Sequence, residues 1–419
     1  MMRAILRWTL VVGLIFGAHL VPTDDGMASE AAAPLSFSRT LEPVIVTGAD
    51  VPLFQGTSVD DIFVYRWTGV TWEQIPFQVD EVAAGAYVSV EDGTLDADDE
   101  IVFMAQDLGS QAPDAIANAV SVNGLWYEVE VTNPLNTSEK GWAYVARSST
   151  LSVTNPTDYA DFDGSQKVTA TAYAATWSSS HGGLDDLKLY GGSDILDRTK
   201  IRARYRIFGI PGTATEETLP APPLTLVRDG AVRVVLQRGT AWTLAYGAML
   251  STETTLDLSG IPGLVIEEAR MSTDLNSAAV GGTYYNENVP AGVTIDGTPD
   301  SVPGGLSHAW RQVSLDDGTM VQVIDPDNPG GTLSHYYKDD STIDPDDTGD
   351  QQSYGDSGLK VTNPTVKVLT VHSVQYILAG RQGNRGEEFY QNFHNPLQVS
   401  TRLQALHHSY GVIIRHGSE

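Results

Sequence analysis

Residues 366–378 read Val-Lys-Val-Leu-Thr-Val-His-Ser-Val-Gln-Tyr-Ile-Leu. The run is built from β-branched and aromatic residues and is bounded by Asn363-Pro364 on one side and Gly380 on the other. Such a run between turn residues reads as a strand. The same pattern recurs at 63–67, 125–131, 142–146, 200–207, 232–236 and 320–324, each apolar or alternating and each bounded by turn residues. With 40 Gly and 21 Pro punctuating the chain, little room is left for helices. Two stretches have helical character, residues 112–119 and a short turn around 403–407. The expected fold class is therefore all-β, with two or more antiparallel β-sandwich domains and long acidic loops. The polar, Pro-containing segment 148–157 marks a boundary. Residues 29–150 read as an amino-terminal β-sandwich. Residues 151–419 read as a larger region, either one two-sheet assembly or two packed sandwiches. Residues 214–223 read as an exposed loop, and no internal repeat of fixed period is found.

The chain has 419 residues, and Asp+Glu 53 against Lys+Arg 25 gives a net charge of -28. That charge repels nucleic acid and anionic membrane surfaces, so neither is an expected partner. The absence of cysteine excludes disulfides, thiolate zinc sites, iron–sulfur clusters and cysteine nucleophiles. At the amino terminus Arg3 and Arg7 precede an apolar run, Leu6 to Val21, and then small residues at Gly26 and Ala28. That order is the order of an export signal over residues 1–28, cleaved after Ala28. The run is shorter than the ~20 residues of a spanning helix. Removal takes two basic residues (Arg3, Arg7) and two acidic ones (Asp24, Asp25), so the charge is unchanged. The mature protein is expected to be secreted or at the cell surface, without membrane insertion.

Residues 91–100 read Glu-Asp-Gly-Thr-Leu-Asp-Ala-Asp-Asp-Glu. Asp92-Gly93, then five residues, then Asp99, resembles the second half of an EF-hand or dockerin calcium loop. The resemblance covers barely a dozen residues, and Val88 and Val90 stand where the first and third ligands belong. It implies calcium held by Asp92, Asp96 and Asp99 with the carbonyl of Thr94, while Leu95 enters the core. Gln78, Asp80 and Glu81 are the nearest candidates to complete the shell. The alternative is a solvated acidic turn between strands. A second acidic stretch runs from Asp339 to Asp356, with Asp344, Asp346 and Asp350 the candidate ligands of a second calcium. Such crowding costs repulsion unless a cation neutralises it or the loop stays extended in water. Asp158, Asp161 and Asp163 form a weaker third group.

One segment opposes this acidity. Lys200, Arg202, Arg204 and Arg206 alternate along one strand and would line one face of it. Four adjacent cations need partners. These are either the chain's own carboxylates, the acidic loops among them, or an external anion such as a uronate-rich or sulfated polysaccharide, which arginine forks suit.

No nucleophile-elbow, zinc-helix, P-loop or dinucleotide pattern is present. His181, Arg204, Tyr284 and Tyr285 have the chemistry of a β-elimination lyase if the fold gathers them. Trp67, Trp72, Trp126, Trp142, Trp177, Trp242 and Trp310 are sandwich core residues or, where exposed, sugar-stacking platforms. The reading is a calcium-stabilised β-sandwich protein with a structural, adhesive or carbohydrate-binding role, its partners an anionic polysaccharide or another surface protein. The rival readings are a polysaccharide lyase and a subunit of an extracellular fibre.

Overall fold

The computed structural model describes residues 37–405, apart from 91, 114–124, 220 and 328. The expected export segment and most of the expected helix at 112–119 lie outside the described residues. The fold is all-β, and its strand pairs are antiparallel throughout the described sheets.

The opening stretch forms Val368–Ala379, a central strand of a nine-stranded sheet. Across that sheet the order is Leu224–Asp229, Arg233–Arg238, Ala241–Tyr246, Met249–Asp257, Val368–Ala379, Gly318–Pro326, Trp310–Ser314, Thr283–Asn286 and Val293–Thr294. Its centre is covered on both sides. Successive side chains of a strand point to opposite faces. Val374 and Tyr376 therefore enter one core, while Ile377 enters another.

The second of those cores is closed by two further sheets. One has four strands between Ala160–Phe162 and Leu184–Leu189, and the other has five. The five-stranded sheet runs Ile210–Thr215, Leu196–Ile207, Leu264–Leu275, Ser353–Thr362 and Thr332–Asp340. Arg311 ties it to the nine-stranded sheet. Its guanidinium is buried and donates to Gln322 Oε1 at 2.6 Å, Ser357 Oγ at 2.7 Å and Thr273 Oγ1 at 2.6 Å. These neutral partners take three of its N–H donors, and burial pulls its pKa down to about 10, with Tyr284 and Asp356 only partly offsetting this.

On the other side lies a small sheet of Pro43–Thr47, Glu100–Met104 and Gln78–Asp80. It too is covered on both faces. Ile45, Val102 and Met104 pack toward the nine-stranded sheet. Val44, Val46, Ile101 and Phe103 pack outward. The outward core is shared with a second five-stranded sheet, made of Gln398–Ala405, Leu125–Asn133, Asn136–Arg147, Ile62–Trp67 and Trp72–Gln74. The strand from the far end of the chain therefore closes the edge of a sheet built from residues before 150. This also corrects the helical expectation at 403–407. Its described part, through Ala405, is strand, because each residue from Gln398 to Ala405 registers against Leu125–Thr132.

The α-helix among the described residues is Gly386–His394, where no helix was expected. Glu387 and Glu388 suit its amino-terminal turn. Phe389, Tyr390 and Phe393 recur at helical spacing and pack against Trp310, Tyr376 and their neighbours. At the helix start a side chain is forbidden, since a Cβ on Gly386 would lie 1.9 Å from Trp310 Cε3. Among the described residues no helix is long and apolar enough to cross a membrane.

Candidate functional site

The nine-stranded sheet is not covered evenly. Beyond the three-stranded sheet it leaves a cleft of about 540 Å³. The floor is sheet: Trp242, Leu244 and Tyr246 from one strand, Ser251 and Glu253 from the next, and His372 from Val368–Ala379. The walls are Tyr87 from the hairpin Val82–Ala83 and Ala86–Tyr87, Asn392 and Phe393 from the helix, and Val399 from the carboxy-terminal strand.

Strand register sets the floor's chemistry. Trp242 lies opposite Glu253, Glu253 opposite His372, and His372 opposite Asp325. One row across four strands thus reads indole, carboxylate, imidazole, carboxylate. Ser251, two pairs along and so on the same face, places Oγ 3.0 Å from His372 Nε2. Burial lowers the imidazole's pKa, and Glu253 and Asp325 only partly offset this, so His372 is neutral near pH 7. Its ring stands 5.1 Å from that of Phe393. Asn392 is buried, and its side-chain amide takes part in none of the hydrogen bonds among the described residues. The cleft thus combines aromatic faces with a hydroxyl, an amide and a carboxylate.

The aromatic wall is held by a buried ionic anchor. Tyr87 meets Trp242 edge to face at 5.6 Å. Beneath it Arg233 lies 5.1 Å from the Tyr87 ring centre and 5.7 Å from that of Tyr246. Arg233 donates to Asp80 Oδ2 at 2.8 Å, Tyr246 OH at 2.8 Å and Glu100 Oε2 at 2.6 Å. One guanidinium so joins the three-stranded sheet to the nine-stranded sheet. Burial raises the Tyr87 phenol's pKa, so Tyr87 stays protonated and donates to Glu100 Oε2 at 3.1 Å.

The residues expected to hold calcium make the following contacts. Asp80 is bound to Arg233. Gly93 turns at φ 77°, and Leu95 is buried. Around them, however, the carboxylates accept from backbone N–H groups. Asp92 accepts from Thr94 N at 2.8 Å. Asp99 accepts from Asp96 N at 2.6 Å and Val82 N at 3.0 Å. Glu81 accepts from Asp92 N at 2.6 Å and Gly93 N at 2.7 Å, while Asp96 is exposed. In the second loop Asp344 caps Asp346 N at 3.1 Å, and Asp350 caps Gln352 N at 2.8 Å. Among the described residues no group of three or more His, Asp or Glu is placed to hold a metal ion.

The acidic loop and the basic strand answer each other. Lys200 is buried, with Nζ 2.5 Å from Asp274 Oδ2 and 2.9 Å from Asp347 Oδ2. Arg202 binds Asp347 Oδ1 at 2.7 Å, Thr348 Oγ1 at 2.6 Å and Glu216. Burial works against the Asp347 carboxylate, but Lys200 and Arg202 hold it down to about 2. Arg204 pairs with Glu268 at 3.2 Å and Arg206 with Glu267 at 2.5 Å. Each cation of the stripe therefore faces a carboxylate of its own chain.

The groups considered for lyase chemistry lie apart. His181 pairs with Asp185 at 2.8 Å, and Arg204 is exposed. Tyr284 is sealed in the core against Tyr337, at a centroid distance of 4.3 Å. Trp67, Trp126, Trp177 and Trp310 are buried, and of the tryptophans Trp242 lines the cleft. Sequence reasoning passed over Ser251, Glu253, His372 and Asp325. No local motif marks them, since they meet through register between strands far apart in sequence.

No protein-family model matches the chain, and no curated protein matches it.

Proposed function

We propose that the protein binds carbohydrate, and that the site is the cleft between the nine-stranded sheet and the amino-terminal sheets. The observation that carries this reading is the combination of Trp242, Tyr87 and Phe393 with Ser251, His372 and Asn392 around one space of about 540 Å³. Sugars present apolar ring faces and a rim of hydroxyls, so a binding site needs aromatic surface beside small hydrogen-bonding groups. His372 meets Ser251 Oγ through Nε2 and leaves Nδ1 for a ligand.

The stripe at Lys200–Arg206 is not the site in this reading, because an external anion would have to displace the carboxylates already there. We place the binding outside the cytoplasm on the charged–apolar–small order of residues 1–28. Intact mass of exported protein checks that placement.

Calorimetric titration with a panel of neutral and charged oligosaccharides tests the function. Trp242→Ala removes a half-buried stacking face and should cost about 2 kcal/mol, roughly thirtyfold in Kd, with the fold intact. A ligand whose affinity ignores Trp242→Ala does not use this cleft. If no oligosaccharide of the panel binds, the reading is wrong.

A further inference from the structure

The cleft has a sign of charge as well as a shape. Its lining contains no Lys or Arg among the described residues. The acids in and around it fall into two sets. Glu42 is consumed by Arg39, with Arg39 Nε donating to Glu42 Oε1 at 2.7 Å. Behind the wall, Glu100 is consumed by Arg233 and Tyr87. Glu253, in the lining, and Asp325, beyond the lining but in the same cross-strand row, differ. Both are exposed, they flank His372 in one cross-strand row, and neither side chain makes a hydrogen bond or ion pair among the described residues. Directly opposed Cβ atoms in antiparallel strands are ~5 Å apart, so the two carboxylates stand on the order of 10 Å apart. The imidazole between them is neutral and cancels neither charge.

We infer that the ligand is a carbohydrate bearing protonated amines, a de-N-acetylated hexosamine chain in the plainest case. This rests on the carbohydrate reading of the same cleft. Two carboxylates without counter-ions repel sulfated or uronate chains and attract cations. The neighbour of Glu253 in the row is the indole of Trp242, whose face attracts an ammonium through its quadrupole. A bare metal ion is the poorer fit, because no group of three or more metal-type ligands is placed for one among the described residues. An alkylammonium needs no such shell. It asks for a carboxylate, an aromatic face and hydroxyl-binding groups beside it, and the row supplies the first two while Ser251 and Asn392 supply the third.

A chain of net charge -28 attracts any polycation, so the test must separate the row from the general field. Titrations use the glucosamine pentasaccharide, its fully N-acetylated counterpart and cellopentaose, at a pH where the amines are protonated. The comparison proteins are wild type, Glu253→Gln with Asp325→Asn, and Asp316→Asn. Asp316 is an exposed acid beyond Gly318, the residue opposite Ala379, whereas Asp325 is opposite His372. Seven residues of strand at ~3.4 Å each place it roughly 24 Å or more from the row.

Wild type should bind the glucosamine chain roughly tenfold more tightly than either neutral chain. The double variant should bind all three alike while keeping its affinity for the neutral chains, which also shows that it is folded. Asp316→Asn should keep the preference. Salt near 1 M, where screening acts within ~3 Å, should shrink it. Equal binding of the three chains by wild type overturns the amine inference and leaves the carbohydrate reading standing. So does a preference that survives the double variant. Binding of none of the three overturns both.

Discussion

Replacing Arg233 with Met should unlock the amino-terminal sheets from the nine-stranded sheet. Methionine keeps most of the volume and removes the fork, leaving Asp80 and Glu100 without their shared cation. Breaking a buried pair from one side costs about 3–5 kcal/mol, mostly the penalty of the stranded charge. The structure places this case at the lower end. Asp80 keeps Gln78 Nε2 at 2.7 Å and 2.9 Å from its two oxygens and Arg228 Nε at 3.7 Å, and Glu100 keeps the Tyr87 hydroxyl at 3.1 Å. Against that, Tyr87 and Tyr246 lose the cation beneath their rings. About 3 kcal/mol is therefore expected. For a folded body of roughly 370 residues at about 2.1 cal/mol/K each, the unfolding entropy is about 0.8 kcal/mol/K, which converts the loss to a fall in Tm of about 4 °C. Differential scanning calorimetry reads it directly. Adding Asp80→Asn to Arg233→Met should recover part of the loss, because one of the two stranded charges is then gone. A single variant melting within about 1 °C of wild type would refute the argument that this guanidinium locks the two layers together.

Three further outcomes are expected. Asp347 has its pKa held near 2, so its stabilisation is complete above the ordinary carboxylate range and is lost as pH falls toward about 2. Asp347→Asn should therefore remove roughly 2 kcal/mol at neutral pH and flatten the acid limb of a stability–pH curve, and an acid limb identical to wild type refutes the assignment. Melts with excess calcium and with chelator should coincide, because Asp92 and Asp99 already serve backbone N–H groups; a calcium-dependent rise of several degrees would show that the loop rearranges around an ion. Gly386→Ala should destabilise by about 1–3 kcal/mol, since its Cβ meets the buried Trp310 ring at 1.9 Å, and unchanged calorimetry would show that the helix start can shift.

Much of the fold is legible residue by residue, because a strand's alternation and its bounding turns are local properties. The stretch 366–378 announces a strand, and so do 125–131 and 200–207, whose strands run on by a few residues at one end. The same locality explains why Gly93 turns and Leu95 is buried as their loop suggested. It also explains the misses. Leu403 reads as a helical turn until Leu125–Asn133 offers it a ladder, and Gly386–His394 is too short to show its period before Trp310 gives its apolar face something to cover. The charged features divide the same way. Sequence alone establishes that Lys200–Arg206 needs counter-charge and that residues 339–356 carry an excess of it. Tertiary structure alone brings Asp347 to Lys200 across 147 positions. The candidate site belongs wholly to that second category. Trp242, Glu253, His372 and Asp325 become a row through strand pairing, and pairing is decided by which faces must be buried over the whole sheet. Periodicity fixes what a strand shows on each side, but its neighbours come from the packing of every layer at once.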